Sequence, residues 1–311
     1  MTITCRICGN RTHNRLHTAY EMMFGSREPF EYVECGACGC VQIGKVPENM
    51  GDYYSGDYYS LRPSSYRQEH PMIRFLRRQR SRYCLYGSNA AWPLKSRKYG
   101  SFRWFKKTKA TLDSAILDVG CGTGKLINRM RRDGFTNLMG VDPFISGDIL
   151  LQNGISIVKK SLFELNGVFD LVMCHHSLEH MAQPLRVLDK MHELVKPKGY
   201  AIIRIPVADC LAWRQYGVNW YQLDAPRHLY LHTVKSMTLL SDEVGFEVVD
   251  IEYDSTESQF LNSELYSRNI PLKDREDNPF SRQEIEKYRA KAIELNHLMQ
   301  GDQACFYLRS R

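Results

Sequence analysis

No stretch of this 311-residue chain approaches the run of about 18 to 20 apolar residues that a membrane-spanning helix requires. The longest candidate, residues 200–213, is interrupted by Arg204, Pro206 and Asp209. The N-terminal MTITCRICGN has no apolar core behind a basic start, so it does not read as a secretory leader, and the chain is expected in the cytoplasm. Cysteines spread in pairs, the mark of a secreted disulfide scaffold, are also missing: five of the ten fall in the first forty residues and the others are scattered singly. Acidic residues are scarce over positions 1–110, with 8 Asp and Glu against 19 Lys and Arg, whereas the rest of the chain is slightly acidic. The excess of positive charge lies mostly between residues 62 and 109. It is either a solvated helical face or a surface that attracts phosphate. A composition of 43% hydrophobic and 25% charged residues excludes a disordered or collagen-like chain, and the length suits one large domain or two to three small ones.

The clustered cysteines have a pattern. Cys5 and Cys8, then Cys35 and Cys38, form two Cys-x-x-Cys-Gly pairs. Each pair suits a tight turn in which both thiolates face one ion, with Gly9 and Gly39 supplying the permissive backbone. Four thiolates favour Zn2+ in a closed, structural site with no open position for catalysis. The interval is longer than the usual one of about 15 to 20 residues, which leaves room for a hairpin around Tyr32, Val33 and Glu34. Cys40 is left over. Residues 1–60 are therefore expected to form a zinc-ribbon module that ends in a Tyr-rich loop at 51–59 (GDYYSGDYY). Residues 61–110 read as a basic helical linker. Its helix is predicted over 67–86, where Ile73, Leu76, Arg80 and Tyr83 have helical spacing, and a second basic stretch follows at 96–109.

From residue 115 apolar runs alternate with helical periodicity. Strands are predicted over 115–119, 138–141, 155–158, 169–174, 200–205 and 247–251, and helices over 125–133, 184–194 and 234–244. A helix over 281–299 and a short strand over 304–308 close the chain. Such alternation builds an α/β, doubly wound, Rossmann-like sheet over 111–311.

The chemistry centres on residues 116–124 (ILDVGCGTG), where a buried strand runs into a loop with glycine at 120, 122 and 124. Glycine lets the backbone approach a ligand closely, and the helix that follows offers free N–H groups. A dinucleotide loop needs G-x-G-x-x-G, but position 125 is Lys. Asp-x-Gly-x-Gly-x-Gly instead resembles the first motif of class I S-adenosylmethionine-dependent methyltransferases. The segments LMGVDP, with Asp142, and FDLVMCHHSLEH, at 169–180, fit the same resemblance, as does KPKG at 196–199. It implies cofactor contacts from Asp118, Gly120, Cys121, Gly122 and Gly124, ribose contacts from Asp142 beside Pro143, and adenine contacts from Ser161 and Leu162. It also implies that His175 faces the cofactor. Together with the paired cysteines, the DYY loop and the segment DAPRH at 224–228, the chain resembles a bacterial subgroup with an N-terminal zinc ribbon. That subgroup is often linked to sugar and polysaccharide biosynthesis.

Two other readings of this region are weaker. His176-Ser-Leu-Glu179-His180 has the H-x-x-E-H form of a zinc peptidase, but Pro184 cuts the helix that such a site needs. Some proteins of the resembling family hold a divalent ion on E-x-x-E-H, and here His176 stands in place of the first acid. Methylation of a hydroxyl needs proton removal, for which histidine is suited. The candidates are His228 first and His180 second, with Tyr221 as an acceptor contact on a loop expected over 206–235, ahead of an insertion at 255–300. Arg227 is expected to grip an acceptor phosphate. The expected acceptor is a small molecule, a sugar or glycan precursor carried on phosphate. RNA, gripped by the basic segment, and a non-catalytic cofactor-binding protein are the alternatives.

Overall fold

A computed structural model describes residues 3–54, 70–87, 101–150, 155–275 and 279–311. The Tyr-rich run beyond residue 54 and two stretches of the basic segment, 62–69 and 88–100, lie outside the described residues. No helix among those described is long and apolar enough to cross a membrane.

Two sheets organise the chain. The smaller is antiparallel, in the order β1 (Arg15–Tyr20), β2 (Pro29–Glu34), β3 (Val41–Ile43) and β10 (Tyr230–Leu231). The larger runs β11 (Phe246–Tyr253), β12 (Gln303–Ser310), β9 (Val195–Pro206), β8 (Phe169–His175), β4 (Ile116–Val119), β5 (Leu138–Val141), β7 (Ser156–Val158) and β6 (Ile149–Leu150). Strands β7, β5, β4, β8 and β9 are parallel, while β12 lies antiparallel between β9 and β11. This is the doubly wound, Rossmann-like architecture that the alternation predicts. All four residues of β4 are buried, as a central strand covered on both faces demands. The helices also fall where the periodicity places them: α3 (Lys125–Arg132), α4 (Pro184–Leu194), α6 (Val234–Glu243) and α8 (Arg282–His297). The short α5 (Leu211–Tyr216) and α7 (Ser258–Ser267) have no counterpart in the sequence reading.

The basic segment is more than a linker where it is described. Helix α1 (Pro71–Tyr86) exposes Ile73, Leu76 and Tyr83 but anchors through Arg80, whose Nη2 meets Asp133 Oδ1 at 2.6 Å beside α3. Helix α2 (Ser101–Lys107) sends Phe102 and Phe105 into the core, and the Phe105 ring lies 4.5 Å from that of Phe135.

The N-terminal residues do not stand apart either. Strand β10 comes from the 206–235 segment, and one apolar cluster joins Cys5, Tyr32 and Val41 to Ala208, Trp213, Trp220 and Leu229. At the centre of this joint Arg227 is fully buried. Its Nε donates to both Asp224 carboxylate oxygens at 3.1 and 3.0 Å, its Nη2 meets Glu21 Oε1 at 3.0 Å, and its Nη1 donates to the Tyr53 carbonyl. Glu21 in turn accepts the N–H groups of Phe24 and Ser26 at 2.8 and 3.0 Å. The guanidinium is thus committed inside the protein. This corrects the expectation that Arg227 grips an acceptor phosphate: with no exposure it has no face left for a ligand. Burial opposes ionisation of Asp224, but Arg227 outweighs it and holds the carboxyl below the usual aspartate range.

Arg227→Ala leaves the buried Glu21 and the largely buried Asp224 without their partner, and a loss of about 3 to 5 kcal/mol in denaturant unfolding is expected. Because the Asp224 pKa is depressed, the wild type holds this contribution above the ordinary aspartate pKa. It should lose it as pH falls below that range, and the variant should lack this acid step. Equal midpoints for the two proteins at pH 7 would contradict the assignment.

Candidate active site

Parallel pairing sets the carboxyl ends of three strands side by side, because Val119 is in register with Val141 of β5 and Cys174 of β8. Open α/β sheets bind ligands at this edge. There the chain turns through Gly120, Gly122 and Gly124, at φ of 67°, 53° and 73°, before α3 begins. These left-handed angles suit glycine, and a Cβ on Gly120 would lie 2.5 Å from Ser177. Asp142, just past β5, holds the loop in shape: Gly122 N–H donates to its Oδ2 at 2.9 Å and Phe144 N–H to its Oδ1 at 2.8 Å. Asp118 is buried beside it. Burial first, and the nearby Asp142 charge second, push the Asp118 carboxyl up to about 7. Ser161 caps the short 3-10 turn Leu162–Glu164 after β7, and Leu162 is buried.

His175 ends β8 with both ring nitrogens buried and unpartnered. Its ring packs 4.5 Å from that of Trp104 on α2, tilted by 30°. Burial holds this imidazole neutral, well below its ordinary pKa. Two orphaned nitrogens beside a glycine loop and two acids suit a polar, cationic ligand. S-adenosylmethionine, with its ammonium, sulfonium and ribose hydroxyls, fits these donors and acceptors. Trp104 carries no sequence signal, since its basic surroundings read as linker.

A second group of polar side chains gathers where the turn Leu178–His180 meets the 206–235 segment, tied by Leu229 N–H to Glu179 C=O at 2.7 Å. Glu179, His180 and His228 each bring a potential ligand atom within 4.8 Å of the others, and the two imidazoles lie 4.7 Å apart at 67°. His228 is buried and donates from Nδ1 to Gln222 C=O at 2.6 Å. His180 is half-buried and donates from Nδ1 to Arg227 C=O at 2.9 Å, with the Tyr54 hydroxyl 3.1 Å from the same nitrogen. Burial, then the neighbouring His180, push His228 down to about 4, so it is neutral at pH 7. Glu179 is held down to about 2: burial opposes ionisation, and the surrounding imidazoles of His176, His180 and His228 outweigh it. His176 borders this group: its Nδ1 stands 3.5 Å from Glu179 Oε1, and Arg204 Nη1 meets its Nε2 at 2.5 Å. Tyr221 sits at the start of the turn Tyr221–Leu223, with its N–H donating to Ser263 Oγ at 3.1 Å. The glycine loop thus has a polar neighbour that includes Glu179, His180 and His228, the first two from the H-x-x-E-H segment and the third from the 206–235 segment.

The four paired cysteines converge as their spacing predicts. Cys5 and Cys38 sulfurs lie 3.7 Å apart, Cys8 and Cys35 sulfurs 3.5 Å, and all four fall within 4.8 Å. A tetrahedral ion with bonds of about 2.3 Å holds its sulfurs at such separations. No pair is oxidised, and the N–H groups of Ala37 and Cys38 point at Cys35 Sγ at 3.4 Å, as in a metal knuckle. Cys40 is buried in the apolar cluster and stays out of the group.

Residues 73–251 match a family model described as a methyltransferase domain. A ubiquinone biosynthesis O-methyltransferase of Pseudomonas aeruginosa is 30% identical over 167 residues, which span 48% of this chain and 71% of the relative. Another, from Pectobacterium atrosepticum, is 30% identical over 118 residues, 35% of this chain and 49% of the relative. Among solved structures, an S-adenosylmethionine-dependent methyltransferase from Mesorhizobium loti aligns at TM-score 0.41 and 16% identity, over 63% of this chain and 91% of that one.

Asp118 titrates near neutrality, and a cationic ligand favours its ionised form. The affinity for S-adenosylmethionine should therefore rise as pH passes upward through about 7, with a proton released on binding. Calorimetry between pH 6 and 8 in two buffers of different ionisation enthalpy checks this. Asp118→Asn should flatten the dependence, and a wild type that takes up protons on binding would overturn it.

Proposed function

The chain belongs to the class I S-adenosylmethionine-dependent methyltransferases, and from this premise we propose that it methylates a hydroxyl of a small polar acceptor, a sugar or glycan precursor carried on phosphate. When bound, S-adenosylmethionine supplies a methyl group on an electrophilic sulfonium. On this reading Gly120, Cys121, Gly122 and Gly124 bring backbone against the cofactor. Asp142 and Pro143 stand at its ribose, Ser161 and Leu162 at its adenine, and Asp118 and His175 at its charged end. The observation that carries the acceptor side is the polar cluster around Glu179, His180 and His228, with Tyr54 and Asp224 close by; Tyr221 is kept as an acceptor contact from the same segment. Such a lining suits a polyhydroxylated molecule. The cluster lowers the cost of removing the hydroxyl proton, and the chain otherwise contributes by holding the two reactants in line. With His228 neutral and buried, the half-buried His180 is the member that meets the acceptor.

The names of the relatives favour a second reading, an acceptor of the kind used in ubiquinone biosynthesis. Incubation with labelled methyl donor and a panel of nucleotide-sugars, lipid-linked glycan precursors, ubiquinone precursors and RNA separates the readings. Label on a sugar is expected, and label confined to another class would replace this acceptor. His180→Ala and His228→Ala should each lower turnover by roughly 10² or more at unchanged cofactor affinity. Because burial places His228 at about 4, it contributes no limb between pH 6 and 7 to the rate profile. Full activity in both variants would remove the cluster from the reaction.

Cys5, Cys8, Cys35 and Cys38 are assigned a structural Zn2+, closed to substrate. Since the ribbon shares a sheet and a core with 206–235, chelation should disorder the acceptor side while sparing the glycine loop. The expected result is one zinc per chain by elemental analysis. After chelation, turnover should be lost while S-adenosylmethionine affinity is retained. Metal-free protein with full turnover would overturn the assignment.

A further inference from the structure

The basic segment is only partly accounted for by the catalytic fold. Over residues 62–109 the chain holds 14 Lys and Arg against one acid, Glu69. Helix α1 carries five of these arginines and no acidic residue. Its ends are defined: Pro71 opens it, His70 Nδ1 accepts Met72 N–H at 3.3 Å, and Gly87 stops it at φ 62°. Its inner face is fixed to the body. Ser81 is buried, and Cys84 and Leu85 pack on the core cluster that includes Phe135. Arg77 and Arg80 reach Asp133 at 3.7 and 2.6 Å, and Leu112 N–H donates to the Tyr86 hydroxyl at 3.2 Å.

The face turned away from the body is apolar. Met72, Phe75, Leu76 and Tyr83 stand at i, i+3, i+4 and i+11, which at 3.6 residues per turn places them within an arc of about 100°. All four are exposed, Met72 and Phe75 by 63% and 59%, and Ile73 widens the stripe on one side. Gln79 is the one polar residue inside the arc. Along its other side Arg74, Arg78 and Arg82, also exposed, follow one another every fourth residue. Like charges at this spacing destabilise a helix, and exposed apolar side chains in a contiguous stripe mark a contact surface. The two together suit an apolar surface that carries negative charge.

We propose that α1 docks the protein on an anionic lipid surface. The helix lies along the bilayer, with Met72, Phe75, Leu76 and Tyr83 in the upper acyl region and Arg74, Arg78 and Arg82 at the lipid phosphates. Arginine suits this flank, because its stem lies along apolar surface while its guanidinium grips phosphate through two N–H groups. The row of arginines decides against a second copy of this chain, whose own row would repel it. The aliphatic Met72, Ile73 and Leu76 decide against RNA, where contacts to phosphate and sugar give them nothing apolar to bury against. The docking is independent of the acceptor proposed above. On that reading it brings the enzyme to a precursor carried on lipid phosphate.

The test is sedimentation of the full-length, zinc-loaded protein with vesicles of phosphatidylcholine alone, or mixed equally with phosphatidylglycerol. Binding to the mixed vesicles alone is expected, and it should weaken as salt rises. Phe75→Ser with Leu76→Ser, and Arg74→Ser with Arg78→Ser and Arg82→Ser, should each weaken it by about tenfold or more. Thermal unfolding and S-adenosylmethionine affinity should match wild type in both variants. A wild type that ignores the mixed vesicles, or binds both kinds equally, overturns the proposal. Unchanged binding in the Phe75 and Leu76 variant overturns it as well. So does a lowered unfolding midpoint in that variant, since it means that the stripe is packed within the protein. Retention of single-stranded RNA in place of vesicles replaces lipid with nucleic acid. Vesicle binding without S-adenosylmethionine binding supports the docking and removes the methyl-transfer reading.

Discussion

The guanidinium of Arg227, buried between Asp224 and Glu21, is the joint between the N-terminal sheet and the 206–235 segment. Glu21 follows the first strand of the N-terminal sheet, and Asp224 follows the turn Tyr221–Leu223. A charge buried at such an interface is tolerable only when both partners are in place, so the two segments must meet in one arrangement. Nearby contacts confirm the fit. Tyr32 on β2 donates its hydroxyl to the His228 carbonyl at 2.9 Å, and Thr233 donates to the Cys38 carbonyl at 2.6 Å. The cysteine knuckles are therefore tied directly to the segment that carries His228.

The cofactor side follows from a different constraint, the register of three parallel strands. With Val119, Val141 and Cys174 level, the chain has one edge at which Asp118, Asp142 and His175 come together. Gly122 donating to Asp142 then makes the acid part of the loop's shape as well as a candidate ligand group. Strand register thus supplies the crevice, and the buried ion network supplies what faces it. The two halves meet at one short segment: His175 closes the first, and the turn Leu178–His180 opens the second.

Local pattern made much of this legible. Glycine at 120, 122 and 124 after an apolar strand marks a ligand loop because few other residues take those angles. The cysteine pairs mark a metal knuckle because their spacing is short enough to define one turn. Strands and helices over 115–251 follow their periodicities because each buries a face of the same core. Arg227 shows the limit. In sequence it is an arginine beside a histidine in a polar loop, and a phosphate grip is a reasonable expectation. Its partner Glu21 lies about two hundred residues earlier, and nothing in either neighbourhood announces the other.

The sequence by itself determined the fold class, the glycine loop with its two acids and the four-cysteine cluster, since each depends on residues close along the chain or on a regular period. Only the tertiary structure decided that Arg227 is structural, that Trp104 covers His175 and that Glu179 is a buried carboxylate facing two oriented imidazoles. These depend on burial and on pairs of groups far apart in the chain. Burial governs what a charged side chain can do: the same arginine that would bind phosphate at a surface becomes, with no exposure, the counter-ion of its own fold.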